Sequence, residues 1–370
     1  MRLLRIDQNS PYQQLIGVGG LGAGIFFALE GNHTLGRNES RPGELLDVRD
    51  YCKLHIVIHY VAKLLANQCF RVFPIGKVGS DGPGQFVLKE MTSVGIDTRF
   101  VQTTADRPTM FSVCFQYPDG TGGNITTDNS AAAELCARDL DGIENVLEVA
   151  GRQTIALSLP EVSLEVRQKF LELATGAGAF RAASFVAAEV AAAKQSGMFG
   201  QLDLVALNEG EAAELIGNDF SPDHPETCMA KCVHFLAVKY PHLQMVISFG
   251  KEGAYGLNRE GWNYCPAPQV EVSSTAGAGD CLLGGILAAI ASGLPLLNGQ
   301  PLRGTLAERP LETALEFGVL LATYKVTSPH TIHPDASLAS LIGFAEQVGA
   351  KFGPEIQQFF TEATVAERAT

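Results

Sequence analysis

Short apolar runs alternate along the chain with segments whose apolar residues recur at helical spacing. Gln14–Val18, Phe70–Ile75, Thr154–Leu157, Leu202–Leu207 and Met245–Ser248 read as strands, and Gly84–Ser93, Pro160–Ala174 and Glu209–Ile216 as helices. Strands that alternate with helices predict βαβ units, hence a doubly wound, mostly parallel α/β sheet with helices on both faces. Two segments break the rhythm. Gly24–Asp50 has no helical period, and Thr109–Thr127 reads as two alternating strands around the turn Pro118-Asp119-Gly120. These two are expected to pair into a small separate sheet, which divides the chain into a main domain of residues 1–23, 51–107 and 128–370 and a small β unit of residues 24–50 and 108–127.

Beyond Met245–Ser248 the pattern predicts strands at Gly253–Asn258, Trp262–Cys265 and Val270–Ser273, then a long apolar helix opening at Gly277. Asn298–Pro310 reads as a surface loop, and helices around Leu311–Val326 and Ala336–Lys351 close the chain. The sequence has no internal repeat and no low-complexity tract.

Composition narrows the function. Of 370 residues, 46% are hydrophobic and 18% charged, which suits a globular protein with a sizeable core. The formal charge of -13 repels polyanions, so nucleic acid is not an expected partner. Eight cysteines lie scattered without CxxC pairs, which fits reduced thiols in a cytoplasm. The N-terminus carries Arg2, Arg5 and Asp7 and no apolar core, unlike a secretory signal. The longest uncharged run, Cys281 to Gln300, is interrupted by Gly284, Gly285, Gly293 and Pro295, so it reads as a buried helix and no membrane contact is expected.

The sharpest stretch is Ser274-Thr275-Ala276-Gly277-Ala278-Gly279-Asp280, followed at once by an apolar helix. Small residues admit a ligand close to the backbone, and free N–H groups at a helix start attract anions. Asp280 in the first turn suits a general base beside N–H groups of Ala278, Gly279 and Asp280 that hold a transferring phosphoryl group. It equally suits a carboxylate that only complements the helix dipole. Asn208-Glu209-Gly210-Glu211 is a capping-box pattern. It also places an amide and a carboxylate at the carboxyl end of a strand, where open α/β sheets bind ligands and where Glu211 is suited to the water shell of Mg2+. Val246 to Ala254 is a strand ending in a glycine-rich turn.

In this order the three elements resemble the ribokinase-like (PfkB-type) carbohydrate kinases, whose C-terminal signature is close to D-T-x-G-A-G-D. Gly76-Lys77-Val78-Gly79-Ser80-Asp81-Gly82-Pro83-Gly84, continuing to Gly95-Ile96-Asp97-Thr98, resembles that family's early strand–glycine–helix segment. The likeness runs roughly from Gln14 to Ile342. It implies an ATP-dependent kinase acting on a hydroxyl of a small sugar-like substrate, with ATP and Mg2+ as cofactors. Asp280 falls on the catalytic base, Gly277, Ala278 and Gly279 on the anion hole, and Asn208, Ser248, Gly250 and Gly253 on the ATP side. Glu211 falls on the Mg2+ shell. The two irregular segments would form a β lid over the sugar site and, by resemblance, a homodimer contact. Substrate contacts are expected among Asp50, Lys53 and His55, with Arg107 and Thr109 from the lid.

The chain departs from the family pattern in three places. Ser274 replaces the first Asp of the signature, so no monovalent-cation site is carried over from relatives. Gly22 and Gly24 stand where the family offers an Asn and an Asp to substrate hydroxyls, and Asp50 to His59 replaces its G-G-x-x-x-N stretch. The phosphate-transfer half is intact while the sugar-reading half is rewritten.

Other readings compete. Gly17-x-Gly19-x-x-Gly22, with Glu39 and Glu44 beyond, matches a dinucleotide fingerprint and suggests an NAD-dependent oxidoreductase, but Gly31 and Asn32 cut short the helix that must follow. His55 and His59 are one helical turn apart and are expected on a polar face with Lys63, opposite Leu54, Ile58, Val61 and Leu65. Cys228, Cys232, His224 and His234 fit no common zinc spacing and read as ordinary helix positions. There is no GxxxxGK[ST]. A nucleotide-binding or regulatory protein that has lost catalysis is the remaining alternative, against which stands the intact Asp280.

Overall fold

The computed structural model describes residues 2–4, 6, 9–65, 70–119, 121–217, 225–298, 305–357 and 360–362. Its main sheet has nine strands. From one edge they run Gly261–Pro266, Gly253–Asn258, Gln244–Ser248, Leu204–Asn208, Phe180–Ser184, Thr154–Ser158, Gln14–Val18, Arg71–Gly79 and Val101–Thr104. All neighbours are parallel from Gln244–Ser248 onward, and the first two form an antiparallel hairpin on the edge.

Strand side chains alternate between faces, and both faces of this sheet are buried. Leu15, Val72, Leu204 and Val246 pack into one core with the helices Lys53–Leu64, Ala278–Ala291 and Ala314–Val326. Their neighbours Ile16, Phe73, Val205 and Met245 pack on the other side, where Leu164–Gly176, Ala187–Gln195 and Pro225–Lys239 lie. Such two-sided burial is the doubly wound arrangement the alternation predicts.

A second sheet of four strands, in the order Gly43–Tyr51, Gly22–Leu29, Met110–Gln116 and Gly122–Thr126, forms the separate β unit. Hydrogen bonds near its Gly43–Tyr51 strand hold it to the main domain. His330 Nδ1 lies 2.5 Å from Asp47 Oδ2, and Thr331 Oγ1 donates to Asp50 Oδ1 at 2.8 Å.

Several expected elements are corrected. Gly22–Leu29 is a strand and no helix follows Gly22, so the dinucleotide fingerprint lacks the helix N-terminus that must hold a pyrophosphate. Val270–Ser273 forms no strand. The predicted helices start late because caps decide their ends. Ser163 accepts from Val166 N ahead of Leu164–Gly176, Thr313 and Glu316 box the start of Ala314–Val326, and Ser337 caps Leu338–Gln347. The polar face expected for His55 and His59 does not form. Lys53–Leu64 is enclosed on its sheet side and by the helix Ala278–Ala291, whose Gly284 lets Val57 O approach, so the two histidines are 0% and 7% exposed. Cys228 and Cys232 are buried on their helix, whereas His224 lies outside the described residues. So do Gly120 of the expected turn and residues 299–304 of the expected loop. The described cysteines are free thiols, and among the described residues no helix is long and apolar enough to cross a membrane.

Candidate active site

At the carboxyl end of the parallel strands a cavity of about 480 Å³ opens. Lys53, Asn208, Glu211, Ser248, Gly250 and Gly253 line it together with Gly277, Ala278, Gly279 and Asp280. Its apolar wall includes Val270 and Val272, from the irregular segment expected as a strand, and Val319 and Val326.

Gly277 caps the helix Ala278–Ala291 with φ of +73°. Only glycine takes that conformation without strain, and a Cβ there would stand 2.9 Å from Thr331 O. The first N–H groups of a helix have no intrahelical partner. That of Ala278 is taken by Thr275 O at 3.1 Å, which removes it from the expected anion hole. Those of Gly279 and Asp280 meet no partner among the described residues, and the space around Gly279 is open.

Asp280 sits in this first turn, and its carboxylate lies 3.6 Å from Lys53 Nζ, at the start of a second helix packed against the first. Burial raises the Asp280 pKa above the ordinary aspartate value, and the Lys53 ammonium draws it back. In return Asp280 holds the lysine up at about 12. Lys53 is therefore a fixed cation beside a carboxylate of enhanced basicity, an arrangement suited to proton abstraction.

Asn208 ends the strand Leu204–Asn208 in register with Ser248 on the next. The capping box is real: Asn208 Oδ1 accepts from Glu211 N at 2.9 Å, and Glu211 Oε2 accepts from Asn208 N at 2.8 Å. One oxygen fixes the cap, and the residue still lines the cavity, so the second carboxylate oxygen is available to a hydrated cation. The residues fit Mg2+ held through water rather than a full protein cage, and no cluster of three or more ligating side chains occurs among the described residues.

The expected acceptor residues divide. Asp50 is 6% exposed and accepts from Ser112 Oγ at 2.8 Å, Cys114 Sγ at 3.0 Å and Thr331 Oγ1 at 2.8 Å. It pairs with Gly24 across the small sheet, and a Cβ on Gly24 would come within 2.9 Å of Asp50 Oδ2. His55 does not reach the cavity. Its ring packs 4.3 Å from that of Tyr51, neither nitrogen has a partner among the described residues, and burial holds its pKa far below the usual value. Arg107 is at the surface, donating to Glu134 Oε1 at 2.8 Å. Thr109 is buried and ties the Gly79-Ser80-Asp81 turn, accepting from Gly79 N and donating to Asp81 Oδ1.

One residue escaped the sequence reading. Glu161 follows the strand Thr154–Ser158, has φ of +74°, and accepts from Lys53 N at 3.3 Å through a carboxylate that stands over Gly20. Burial raises its pKa to about 7 against the pull of Lys53. A non-glycine residue in this region costs roughly 1–3 kcal/mol and marks functional sites. Its signal was its position, an acid just past a parallel strand, the same rule that picks out Glu211.

Comparison with known proteins bears on the family and the fold. The profile of the pfkB family carbohydrate kinases matches residues 61–337, and the chain belongs to that family. No curated protein matches the sequence. Among solved structures, ribokinase from Cryptococcus neoformans var. grubii serotype A, in complex with ADP, is 19% identical with a TM-score of 0.71, over 90% of this chain and 99% of that one. Ribokinase from Giardia lamblia is 17% identical with a TM-score of 0.71, over 93% and 99%. An E. coli protein provisionally called ribokinase II, solved with ATP and Mg2+, is 17% identical with a TM-score of 0.69, over 90% and 99%. At these identities the likeness establishes the fold: a large, mostly parallel sheet with a smaller separate one.

Proposed function

We propose that this protein transfers the γ-phosphate of ATP to a hydroxyl of a small sugar or sugar-like alcohol. The observation that carries the reading is the single cavity in which Asp280, Lys53 and the unpartnered N–H groups of Gly279 and Asp280 converge. Asp280 removes the acceptor's proton, and the raised basicity that burial gives it matches that work. The helix start and Lys53 stabilise charge on the transferring group. Asn208, Ser248, Gly250 and Gly253 line the nucleotide side, with Val319 and Val326 offering an apolar wall to a base. Bound Mg2+, held through water at Glu211, would neutralise phosphate charge. Asp50 and Glu161, on the side of the small sheet, present the acceptor with hydrogen-bond acceptors. That relatives of this fold are solved with ADP, or with ATP and Mg2+, supports the choice of nucleotide.

A coupled ADP assay over sugars, sugar acids, sugar phosphates and nucleosides tests the reading. Asp280→Asn should keep ATP binding by calorimetry and lose roughly 100-fold or more in turnover, the usual scale for a general base. ATP binding without turnover on any acceptor would favour a regulatory protein, and NAD binding without ATP binding an oxidoreductase.

A further inference from the structure

Lys325, one residue from the end of the helix Ala314–Val326, is 0% exposed. Its Nζ donates to the backbone oxygen of Ser274 at 3.0 Å, and among the described residues it pairs with no carboxylate. A buried ammonium without an ion partner is a poor structural choice, because an apolar side chain of like volume fills the same space without desolvating a charge. Its surroundings explain it. Ser273 N and Ser274 N both donate to Val326 O, at 2.8 and 3.2 Å, and Ser273 Oγ donates to Thr327 O at 3.0 Å. The turn before the anion hole is therefore hung on the carboxyl end of a helix, where backbone oxygens collect negative potential. No carboxylate relieves that site from the signature position either, since Ser274 stands there and its Oγ accepts from Ala276 N at 3.2 Å. Three residues later the chain must turn through Gly277 in its left-handed conformation to aim the N–H groups of Gly279 and Asp280 at the cavity.

We propose that the Lys325 ammonium is a built-in cation that fixes the 273–277 turn and, through it, the anion hole, so that turnover requires no added monovalent cation. Lys325 acts here as a positioning residue, and the assignment rests on the kinase reading above. Burial lowers its pKa to about 8, while Cys281 of the catalytic helix and Asp50 of the small sheet pull it back up. His333, on the segment that follows, is itself pushed down in part by this charge. The lysine is charged at neutral pH and loses its proton as pH rises through about 8.

Lys325→Met tests the assignment at constant ionic strength in choline, potassium or ammonium chloride. Wild-type turnover at pH 7 should agree within about twofold among the three salts and fall above pH 8. The variant should melt no lower than wild type, lose about tenfold in kcat in choline, lack the limb near pH 8 and recover severalfold with potassium or ammonium. Calorimetry gives a reading without turnover: in choline the variant should bind ATP at least about threefold more weakly, and AMP equally well, with potassium restoring ATP affinity. Unchanged kcat and ATP affinity in the variant overturn the proposal, as does severalfold activation of the wild type by potassium over choline. If the variant does not fold, the wild-type salt series and pH limb decide. Wild-type protein that binds ATP but turns over no acceptor defeats the kinase reading, and the calorimetry then still decides on Lys325.

Discussion

Replacing Lys53 with Met removes the cation that holds Asp280 in its basic form and keeps most of the side chain's bulk. Across 3.6 Å the Coulomb attraction is about 4.6 kcal/mol at an effective dielectric of 20 and about 1.2 kcal/mol at that of water. Lys53 is 35% exposed along its side chain, so solvent screening places the working value between those limits. Each 1.36 kcal/mol is one pKa unit. Loss of Lys53 should therefore raise the Asp280 pKa by about one to three units, because the same burial acts with nothing to oppose it. A base works only when deprotonated, so the acidic limb of kcat/KM must move to higher pH by that amount. The coupled ADP assay from pH 5 to 9 on the best acceptor of the panel reads the shift, with thermal melting as a check on folding. An unmoved limb, with turnover reduced equally at every pH, would show that Lys53 serves phosphate binding alone and that Asp280 is not the titrating base.

Glu211→Gln keeps the hydrogen bond to Asn208 N but not the charge, so the Mg2+ needed for half-maximal turnover should rise roughly fivefold, as for about 1 kcal/mol, while melting stays within about 2 °C; unchanged Mg2+ dependence would reduce the residue to a cap. Gly24→Asp restores the family's usual carboxylate where an added Cβ would run into Ser112 Oγ and the Ser112 backbone oxygen, so it should lower stability by about 1–3 kcal/mol in urea unfolding and give no gain on ribose. Wild-type stability with faster ribose turnover would refute the crowding. Leu45 and Ile125 on the small sheet are 50% and 71% exposed, and we predict that they meet a second copy: Leu45→Glu with Ile125→Glu should convert a dimer to a monomer in light scattering. An unchanged mass would remove this face from the interface.

Periodicity located the parallel strands because each carries its apolar run locally, and Gln14–Val18 and Glu209–Ile216 fall on their predicted bounds. It failed where helix ends depend on a cap or where burial is set by distant partners. The spacing of His55 and His59 reads as a polar stripe because nothing local shows that a second helix covers it. The Gly277–Asp280 part of the candidate site was legible for the same reason: these residues are contiguous, and backbone N–H groups at a helix start follow from the helix itself. The other half was legible only in part: the sequence points to Asp50 and Lys53 but not to Glu161 or Thr331. Asp50, Glu161 and Thr331 belong to three remote segments: strand pairing sets Asp50 opposite Gly24 and within reach of Thr331, and a left-handed residue at 161 brings Glu161 to Lys53 N.

That assembled half also speaks to the acceptor's charge. Asp280, Glu161 and Asp50 stand on this side; of the two lysines that line the cavity, Lys251 follows Gly250 on the far side and Lys53 is already committed to Asp280. Arg107, expected among the acceptor contacts, is instead at the surface with Glu134. An anionic acceptor would add a like charge beside Asp280 and Glu161, whose pKa values burial has already raised, whereas neutral hydroxyls would add none. Glu161, near pKa 7, further offers a proton to hydrogen bonding at neutral pH. Neutral polyols and nucleosides should therefore exceed sugar acids and sugar phosphates in kcat/KM by about tenfold or more, the scale of a 1.4 kcal/mol difference. Glu161→Gln, by removing one of these charges, should narrow the gap. A sugar phosphate as the best acceptor of the wild-type protein would overturn this reading of the pocket.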